Sequence, residues 1–86
     1  MKHFCFDQSS SNWTDNYERN RHFLWAEFDF FREIIRQRGY LYLNQIYEYL
    51  GVKWNPDEEN VCYKDLGEFH IGWGFDDEYK MIVCIN

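Results

Sequence analysis

RGYLYLNQIYEYLG, residues 38–51, predicts a corner between two helices and so decides the path of the first half of the chain. Gly39 and Gly51 each suit the left-handed position that ends a helix. Tyr40–Tyr42 is predicted to run extended between them. Asn44 stands at the start of the second helix, where its side chain is expected to bind a local backbone group. The apolar positions of this second helix recur with the spacing of one helical face: Leu43, Ile46, Tyr47 and Leu50.

Residues 14–38 carry the strongest periodic pattern in the chain and predict a long amphipathic helix. Asp15 followed by Glu18 resembles a capping box, with Asp in place of the usual Ser or Thr. Arginines gather in the last turns, where cations suit the negative end of the helix dipole, and Gly39 then ends the helix. The predicted core face carries five large apolar residues: Tyr17, Leu24, Phe28, Phe31 and Ile35.

The last third of the chain is predicted to form an antiparallel hairpin. Residues 66–75 alternate between apolar and polar side chains, and residues 79–85 follow after an acidic turn at 76–78. Because residues 79–85 are apolar on both faces, they are expected to form the central strand of a three-stranded sheet. Residues 52–65 are predicted to be a loop that contains a short strand at 60–63.

These elements predict an α+β fold, in which one long and one short amphipathic helix pack on a small antiparallel β-sheet that ends in a β-hairpin. Residues 14–86 are expected to form a single compact domain, and residues 1–13 are either an N-terminal edge strand or a tail. The sheet is expected to come mainly from residues 60–85. The predicted core contains Leu24, Phe28, Phe31, Ile35, Leu43, Ile46, Leu50, Phe69, Ile71, Met81 and Val83.

Composition and charge restrict the classes of partner. Aromatic residues make up 22% of the chain, more than one small core can hide, and exposed Trp and Tyr side chains suit an interface. The net charge of −6 comes entirely from residues 55–86, which hold eight acidic and two basic residues. An acidic surface repels phosphate, so direct nucleic-acid binding is disfavoured and a basic protein partner is favoured. The acidic segments are either ordinary solvated turns or an electrostatic docking face.

No pattern in the sequence predicts an enzyme, a cofactor or a metal site. Cys5, Cys62 and Cys84 lie far apart, and no C-x-x-C or H-x₃-H spacing is present. His70 alternates with core residues on a predicted strand and is therefore expected to face solvent. An odd number of cysteines, no signal-peptide pattern and no apolar run of membrane length favour the reduced cytoplasm and argue against a membrane partner.

Residues 38–51 resemble a segment of small uncharacterised proteins from phages and integrated elements of Gram-positive bacteria. That segment combines Arg-Gly-Tyr, Leu-Asn, an aliphatic-Tyr-acid step and Leu-Gly, and Gly72-Trp73 resembles a Gly-Trp that follows it. The resemblance implies a phage or mobile-element origin and a location in the bacterial host cell, and it implies no particular activity. The matching positions are Arg38, Gly39, Tyr40, Leu43, Asn44, Ile46, Tyr47, Glu48, Leu50 and Gly51.

Together, charge and resemblance predict a non-enzymatic, acidic protein-binding domain. Its most concrete form is an anti-CRISPR-like inhibitor that occupies the basic cleft of a host nucleic-acid-binding protein, such as an RNA-guided nuclease. One alternative is a phage assembly module that self-associates, for example as a homodimer, and another is a small DNA-binding regulator that uses the arginines of the first helix. The predicted electrostatic contacts are Asp57, Glu58, Glu59, Asp76, Asp77 and Glu78, and the predicted anchors are Trp54, Tyr63 and Trp73.

Overall fold

The structure is a computed structural model that describes residues 2–86. Within these residues the chain has the predicted α+β fold, with one long and one short helix packed against antiparallel strands. Neither helix of the described chain is long and apolar enough to cross a membrane. In chain order the elements are β1 (Lys2–Cys5), α1 (Tyr17–Arg38), β2 (Leu41–Tyr42), α2 (Leu43–Leu50), β3 (Cys62–Tyr63), β4 (Ile71–Phe75) and β5 (Met81–Ile85), with a 3-10 turn at Pro56–Glu58.

The main sheet of the described chain has three antiparallel strands in the order β1-β5-β4. The apolar strand β5 is therefore central, as predicted, and β4 and β5 form the predicted hairpin with Phe75 opposite Met81. Both strands are shorter than predicted, because residues 66–70 and 79–80 lie outside them. The other neighbour of β5 is β1, in which Lys2 lies opposite Ile85. Residues 60–85 thus supply two of the three strands, and the third comes from the N-terminal segment, which covers the second edge of an otherwise exposed apolar strand.

The long helix α1 begins one residue later than the predicted capping box requires. Its N-cap is Asn16, whose side chain accepts a hydrogen bond from an amide of the first turn, so the prediction of Asp15 as the cap was wrong. Three hydrogen bonds join Thr14 to Asn20. They fix the chain before α1 so that Asn16 takes the N-cap position. At the other end Gly39 adopts a left-handed φ of 88°, as predicted.

Every residue of the predicted core is buried, and the core also includes the N-terminal segment. Phe6 is 0% exposed; its ring stacks on Phe23 at a centroid distance of 5.6 Å and meets Trp13 edge-on at 5.5 Å. Tyr17, which the helical pattern assigned to the core face, lies outside the buried cluster: it is 44% exposed, and its ring packs on the exposed Phe75 of the edge strand β4. The first turn of α1 therefore reaches past the core to the rim of the sheet.

Polar residues after β1 complete the C-terminal end of α2. The Ser10 hydroxyl donates to the Leu50 carbonyl at 2.6 Å, and the Asn12 side-chain amide donates to the Tyr49 carbonyl at 3.2 Å. The last carbonyls of a helix have no partner inside it, so these side chains supply the missing donors. Gly51 ends α2 with a left-handed φ of 73°, as predicted. The N-terminal segment is thereby fixed to both the sheet and α2.

Asn44 joins the corner before α2 to the loop that follows it. Its side-chain oxygen accepts the Asn55 amide and its side-chain nitrogen donates to the Asn55 carbonyl, each at 3.1 Å. The expectation of a local partner was wrong, since the loop folds back over α2 and offers its own backbone. The same corner pairs β2 with β3, so the strand predicted at residues 60–63 is shorter and belongs to a separate two-stranded ladder.

Candidate binding site

A cavity of about 300 Å³ opens at one end of the main sheet. It forms where the chain leaving β1, the first turn of α1 and the turn between β4 and β5 come together. Charged side chains at its walls are Asp7, Asp15 and Lys80. We call this cavity the aromatic pocket, because five rings line it: Phe6, Trp13, Tyr17, Phe75 and Tyr79.

The turn between β4 and β5 places Tyr79 at the aromatic pocket. One carboxylate oxygen of Asp76 accepts the backbone amides of Glu78 and Lys80, each at 2.9 Å. The Asp76 carbonyl accepts the Tyr79 amide at 3.0 Å, which closes the turn. Tyr79 adopts a left-handed φ of 61°, uncommon for a residue other than glycine, and is 85% exposed. Asp76 therefore builds the turn, and Tyr79 is presented to solvent by it.

Carboxylates outnumber ammonium groups at the aromatic pocket. Ser9 donates two hydrogen bonds to Asp7, from its hydroxyl at 2.6 Å and its amide at 2.9 Å, and these hold the pKa of Asp7 below its usual value. Lys80 pairs with Glu78 at 3.1 Å, and this contact raises the pKa of Lys80. Among the described residues that line the pocket, Asp7 and Asp15 outnumber Lys80, which pairs with Glu78 and also helps to lower the pKa of Asp7.

Three rings extend the aromatic surface from the pocket onto β4. The ring centroids of Tyr17 and Phe75 are 5.9 Å apart, those of Trp73 and Phe75 are 5.4 Å apart, and those of Tyr17 and Trp73 are 6.0 Å apart. Trp73, one of the predicted anchors, is half-buried within this group. The structure therefore brings Trp73 and the acidic residues 76–78 together on the β4–β5 hairpin, beside the aromatic pocket.

The other predicted acidic segment, residues 57–59, lies toward the opposite end of β5. The Lys2 ammonium lies 2.7 Å from a Glu58 carboxylate oxygen, and Lys2 pairs with Ile85 at the end of β5. The acidic turn at 76–78 precedes Met81, at the start of β5. A strand of five residues separates its end residues by roughly 14 Å. The six acidic residues predicted as electrostatic contacts therefore form two separate groups and not one continuous patch.

The remaining predicted anchors lie away from the aromatic pocket. Trp54 is exposed beside Tyr42 and Glu59, where they line a shallow depression of about 260 Å³. Tyr63 is half-buried and its ring meets Phe69 edge-on at 5.2 Å; burial raises the pKa of Tyr63. Tyr63 therefore packs against the core, whereas Trp54 and Glu59 remain available at a second surface.

Glu58 is the most constrained of the predicted acidic residues. One of its oxygens accepts the Tyr47 hydroxyl at 3.0 Å and the Asn55 side-chain amide at 2.8 Å, and the Lys2 ammonium lies beside the other. Lys2, followed by Tyr47 and Asn55, holds the pKa of Glu58 below its usual value. Burial raises the pKa of Tyr47, so its hydroxyl remains a donor. Two acidic neighbours of Glu58 are exposed: Asp57 and Glu59.

Glu58→Gln is expected to lower the free energy of unfolding by about 1 kcal/mol at pH 7, since it removes the charge that Lys2 and two neutral donors stabilise. A lowered folded-state pKa stabilises the protein above the carboxyl's unfolded pKa, and this contribution is lost as the pH falls through the folded value. Urea unfolding at pH 7 and at pH 3 should therefore show the difference from the parent shrinking in acid. Glu59→Gln, at an exposed neighbour, serves as the control, and an equal effect of Glu58→Gln at both pH values would contradict a charge-based role.

The sequence patterns did not identify most of the aromatic pocket. Phe6 and Trp13 fell in the segment interpreted as a strand or a tail, and Tyr79 was assigned to a strand. The usable signal was a three-residue hairpin loop with a tyrosine where glycine is common. Within residues 2–86 no group of three or more His, Cys, Asp and Glu side chains is arranged to hold a metal ion, and the three cysteines are free.

The site thus combines rings, a fixed carboxylate and an acidic turn, an arrangement suited to binding a cation or a basic surface. It offers hydrogen-bond acceptors and π faces, and its charges are held by local contacts that need no partner to form. No protein-family model, no curated protein and no solved structure matches the chain.

Proposed function

We propose that the chain is an acidic protein-binding domain that docks a basic partner through the β4–β5 hairpin. The observation that carries the proposal is the position of the acidic turn at residues 76–78 directly beside the aromatic pocket. Interfaces draw most of their binding energy from a few aromatic and charged residues that lie next to one another, and complementary charge steers the partner toward them. The hairpin carries residues of both kinds, with Asp77 and Glu78 beside Trp73, Phe75 and Tyr79.

The most concrete form of the proposal is an anti-CRISPR-like inhibitor of a host nucleic-acid-binding protein, such as an RNA-guided nuclease. A nuclease binds the phosphates of its nucleic acid in a basic cleft, and a compact acidic domain can compete for that cleft. Support comes from the net charge of −6 and from the resemblance of residues 38–51 to proteins of phages and mobile elements. The inhibition acts by occupation of the cleft and requires no catalysis by this chain.

Direct DNA binding by α1 receives less support from its surface charges. Arg32 pairs with Asp29 at 2.9 Å, and Arg36 pairs with Glu33, so two of the arginines near the end of the helix already have acidic partners. A phosphate would have to compete with those carboxylates, and the surrounding charge is negative. In this proposal the exposed side of α1 is therefore a surface of mixed charge and not a nucleic-acid site.

The test compares two double variants that each remove two negative charges. Asp77→Asn with Glu78→Gln changes the acidic turn and leaves Asp76, which holds the turn, in place. Asp57→Asn with Glu59→Gln is the matched control, because both residues are exposed toward the other end of β5. Each variant and the parent are used to capture proteins from a Gram-positive host lysate, and a captured protein is then purified for competition with its nucleic acid.

Capture of a basic nucleic-acid-binding protein by the parent and by the control, with at least a tenfold loss in the turn variant, is the expected result. The parent should then displace nucleic acid from the purified protein, and displacement should weaken as salt is raised. Equal capture by all three chains, or binding that leaves the nucleic acid in place, would overturn the proposal.

Self-association is a second candidate function, and the free edge of β4 favours it. β4 is an outer strand of the sheet in residues 2–86, so its outward backbone groups have no partner strand there. An unpaired strand edge is a template for pairing with another copy. On this edge the Arg32 guanidinium contacts the Ile71 carbonyl at 3.4 Å. Sedimentation equilibrium at micromolar concentration decides the point: edge pairing requires a defined dimer, and a monomer excludes it.

A further inference from the structure

We infer that the aromatic pocket binds the guanidinium group of an arginine side chain supplied by the basic partner. The inference rests on the proposed function, because it names the group through which the partner is recognised. It extends that function from the acidic turn to the cavity behind it, which the turn partly encloses through Tyr79. Three features of the cavity support an arginine: its rings, its balance of charge and the conformation of Tyr79.

The rings suit a flat cation. The pocket of about 300 Å³ is lined by five aromatic side chains, and a cation within about 6 Å of a ring centroid is attracted by the negative face of the ring. Guanidinium is planar and weakly hydrated, so it stacks on rings more readily than an ammonium group does. The same chain already contains such contacts, with Arg21 over the Trp25 ring at 4.9 Å and Arg38 over the Tyr40 ring at 4.4 Å.

The charges of the pocket select a cation over an anion. Asp7 is fixed as a carboxylate by Ser9, and Asp15 is exposed at the wall without an ion pair in residues 2–86. Two features oppose a cation: Lys80 at the wall and the positive end of α1. Glu78 pairs with Lys80, and the helix end is capped by the Asn16 side chain, so both are partly offset. The carboxylates then provide the acceptors that a guanidinium fork requires.

Tyr79 occupies a position that glycine would fill with less strain. Its φ of 61° is left-handed, and it is the last residue of a three-residue loop between Asp76 and Lys80, where hairpins commonly use glycine. A strained residue at a binding surface is a recognised sign of function. The strain here holds a ring beside the pocket mouth in a residue that is 85% exposed and gains little from packing.

The test measures binding of acetyl-Gly-Arg-Gly-amide to the full chain by NMR, with the Trp13 indole signal assigned through Trp13→Phe. The matched probe carries citrulline, which has nearly the shape of arginine without its charge. We expect a dissociation constant on the order of 1 mM for the arginine peptide, and binding at least tenfold weaker for the citrulline peptide. Equal binding of both peptides, or shifts at the other three tryptophans and none at Trp13, would overturn the inference.

Two variants locate the site within the fold. Tyr79→Gly removes a wall ring at a position whose φ suits glycine, so the chain keeps its fold, and it should weaken the arginine peptide about five- to tenfold. Asp15→Asn should weaken it about threefold and reduce its salt dependence. Tyr42→Ala, at an exposed tyrosine beside Trp54, is the control and should leave the affinity unchanged. Tyr79→Gly and Asp15→Asn with parental affinity would exclude the pocket.

The peptide experiment tests the arginine pocket separately from the proposed function, because it contains no partner protein. If a captured partner depends on Asp77 and Glu78 and binds Tyr79→Gly as well as the parent, the docking hairpin stands and the arginine pocket is excluded. If the arginine peptide binds at Trp13 and no partner is displaced from nucleic acid, the pocket chemistry stands and the inhibitory function is excluded.

Discussion

Phe6→Ala is expected to lower the free energy of unfolding by about 3–5 kcal/mol, the usual effect of removing a fully buried aromatic ring. Phe6 is 0% exposed, stacks on Phe23 and meets Trp13 edge-on, so its loss leaves a cavity between the sheet and α1. A natural domain is stable by only about 5–15 kcal/mol, and a small one lies near the lower end. Urea unfolding followed by circular dichroism should therefore place the variant midpoint far below that of the parent.

Cys5→Ala is the control for Phe6→Ala, because Cys5 is the adjacent residue of the same segment and its side chain is exposed. It should change the free energy of unfolding by no more than about 0.5 kcal/mol. If Phe6→Ala unfolds at the urea concentration of the parent, the N-terminal segment does not belong to the cooperative unit, and the role of its ring in the core would have to be abandoned.

Gly51→Ala is expected to lower the free energy of unfolding by about 2–4 kcal/mol, for two reasons that add. The residue has a left-handed φ of 73°, which strains any side chain. An added Cβ would also lie 2.6 Å from the Ser11 hydroxyl oxygen and 2.8 Å from that of Ser10, closer than atoms can approach. The serines would have to move, and the Ser10 bond to the Leu50 carbonyl would be weakened.

Gly39→Ala separates these two reasons. Gly39 ends α1 with a left-handed φ of 88°, and nothing lies within 4 Å of an added Cβ. It should therefore show only the backbone strain, about 1 kcal/mol. The difference between the two alanine variants, measured by urea unfolding, reports the contact of the serine run with α2. Equal losses at both glycines would contradict the close approach of the N-terminal segment to Gly51.

Helices and hairpin were predictable because their signals are local. The 3.6-residue period of residues 14–38 requires one buried face, and Gly39 and Gly51 mark the two helix ends through a backbone conformation that other residues avoid. The apolar strand predicted at residues 79–85 is central in the sheet, where it is shorter and spans Met81–Ile85. Only one of its faces is fully buried, since Ile82 and Cys84 on the other face are half-buried. The cap of α1 was displaced by one residue because Thr14 bonds to Asn20, a contact that a short sequence pattern does not encode.

The candidate site was predictable only in part. The acidic turn and Trp73 were found from charge and alternation, and the hairpin keeps them together. The pocket itself combines residues 6–20 with residues 75–81, which come together only when β1 pairs with β5. Glu58, one of the six acidic residues predicted as contacts, became part of a partly buried network through Lys2, Tyr47 and Asn55, none of which is its immediate neighbour in the chain.

Local pattern was therefore sufficient for the two helices, the hairpin, the predicted core residues and the acidic character of the C-terminal third, because spacing, glycine positions and net charge are properties of the chain before it folds. The place of the N-terminal segment depended on packing. The Ser10 hydroxyl bonds to the carbonyl of Leu50 in α2, forty residues away, and the Phe6 ring stacks on Phe23 across the core. Such pairings reflect the shape and the unsatisfied hydrogen-bond groups of the assembled helices and sheet, and no single stretch of the sequence contains either.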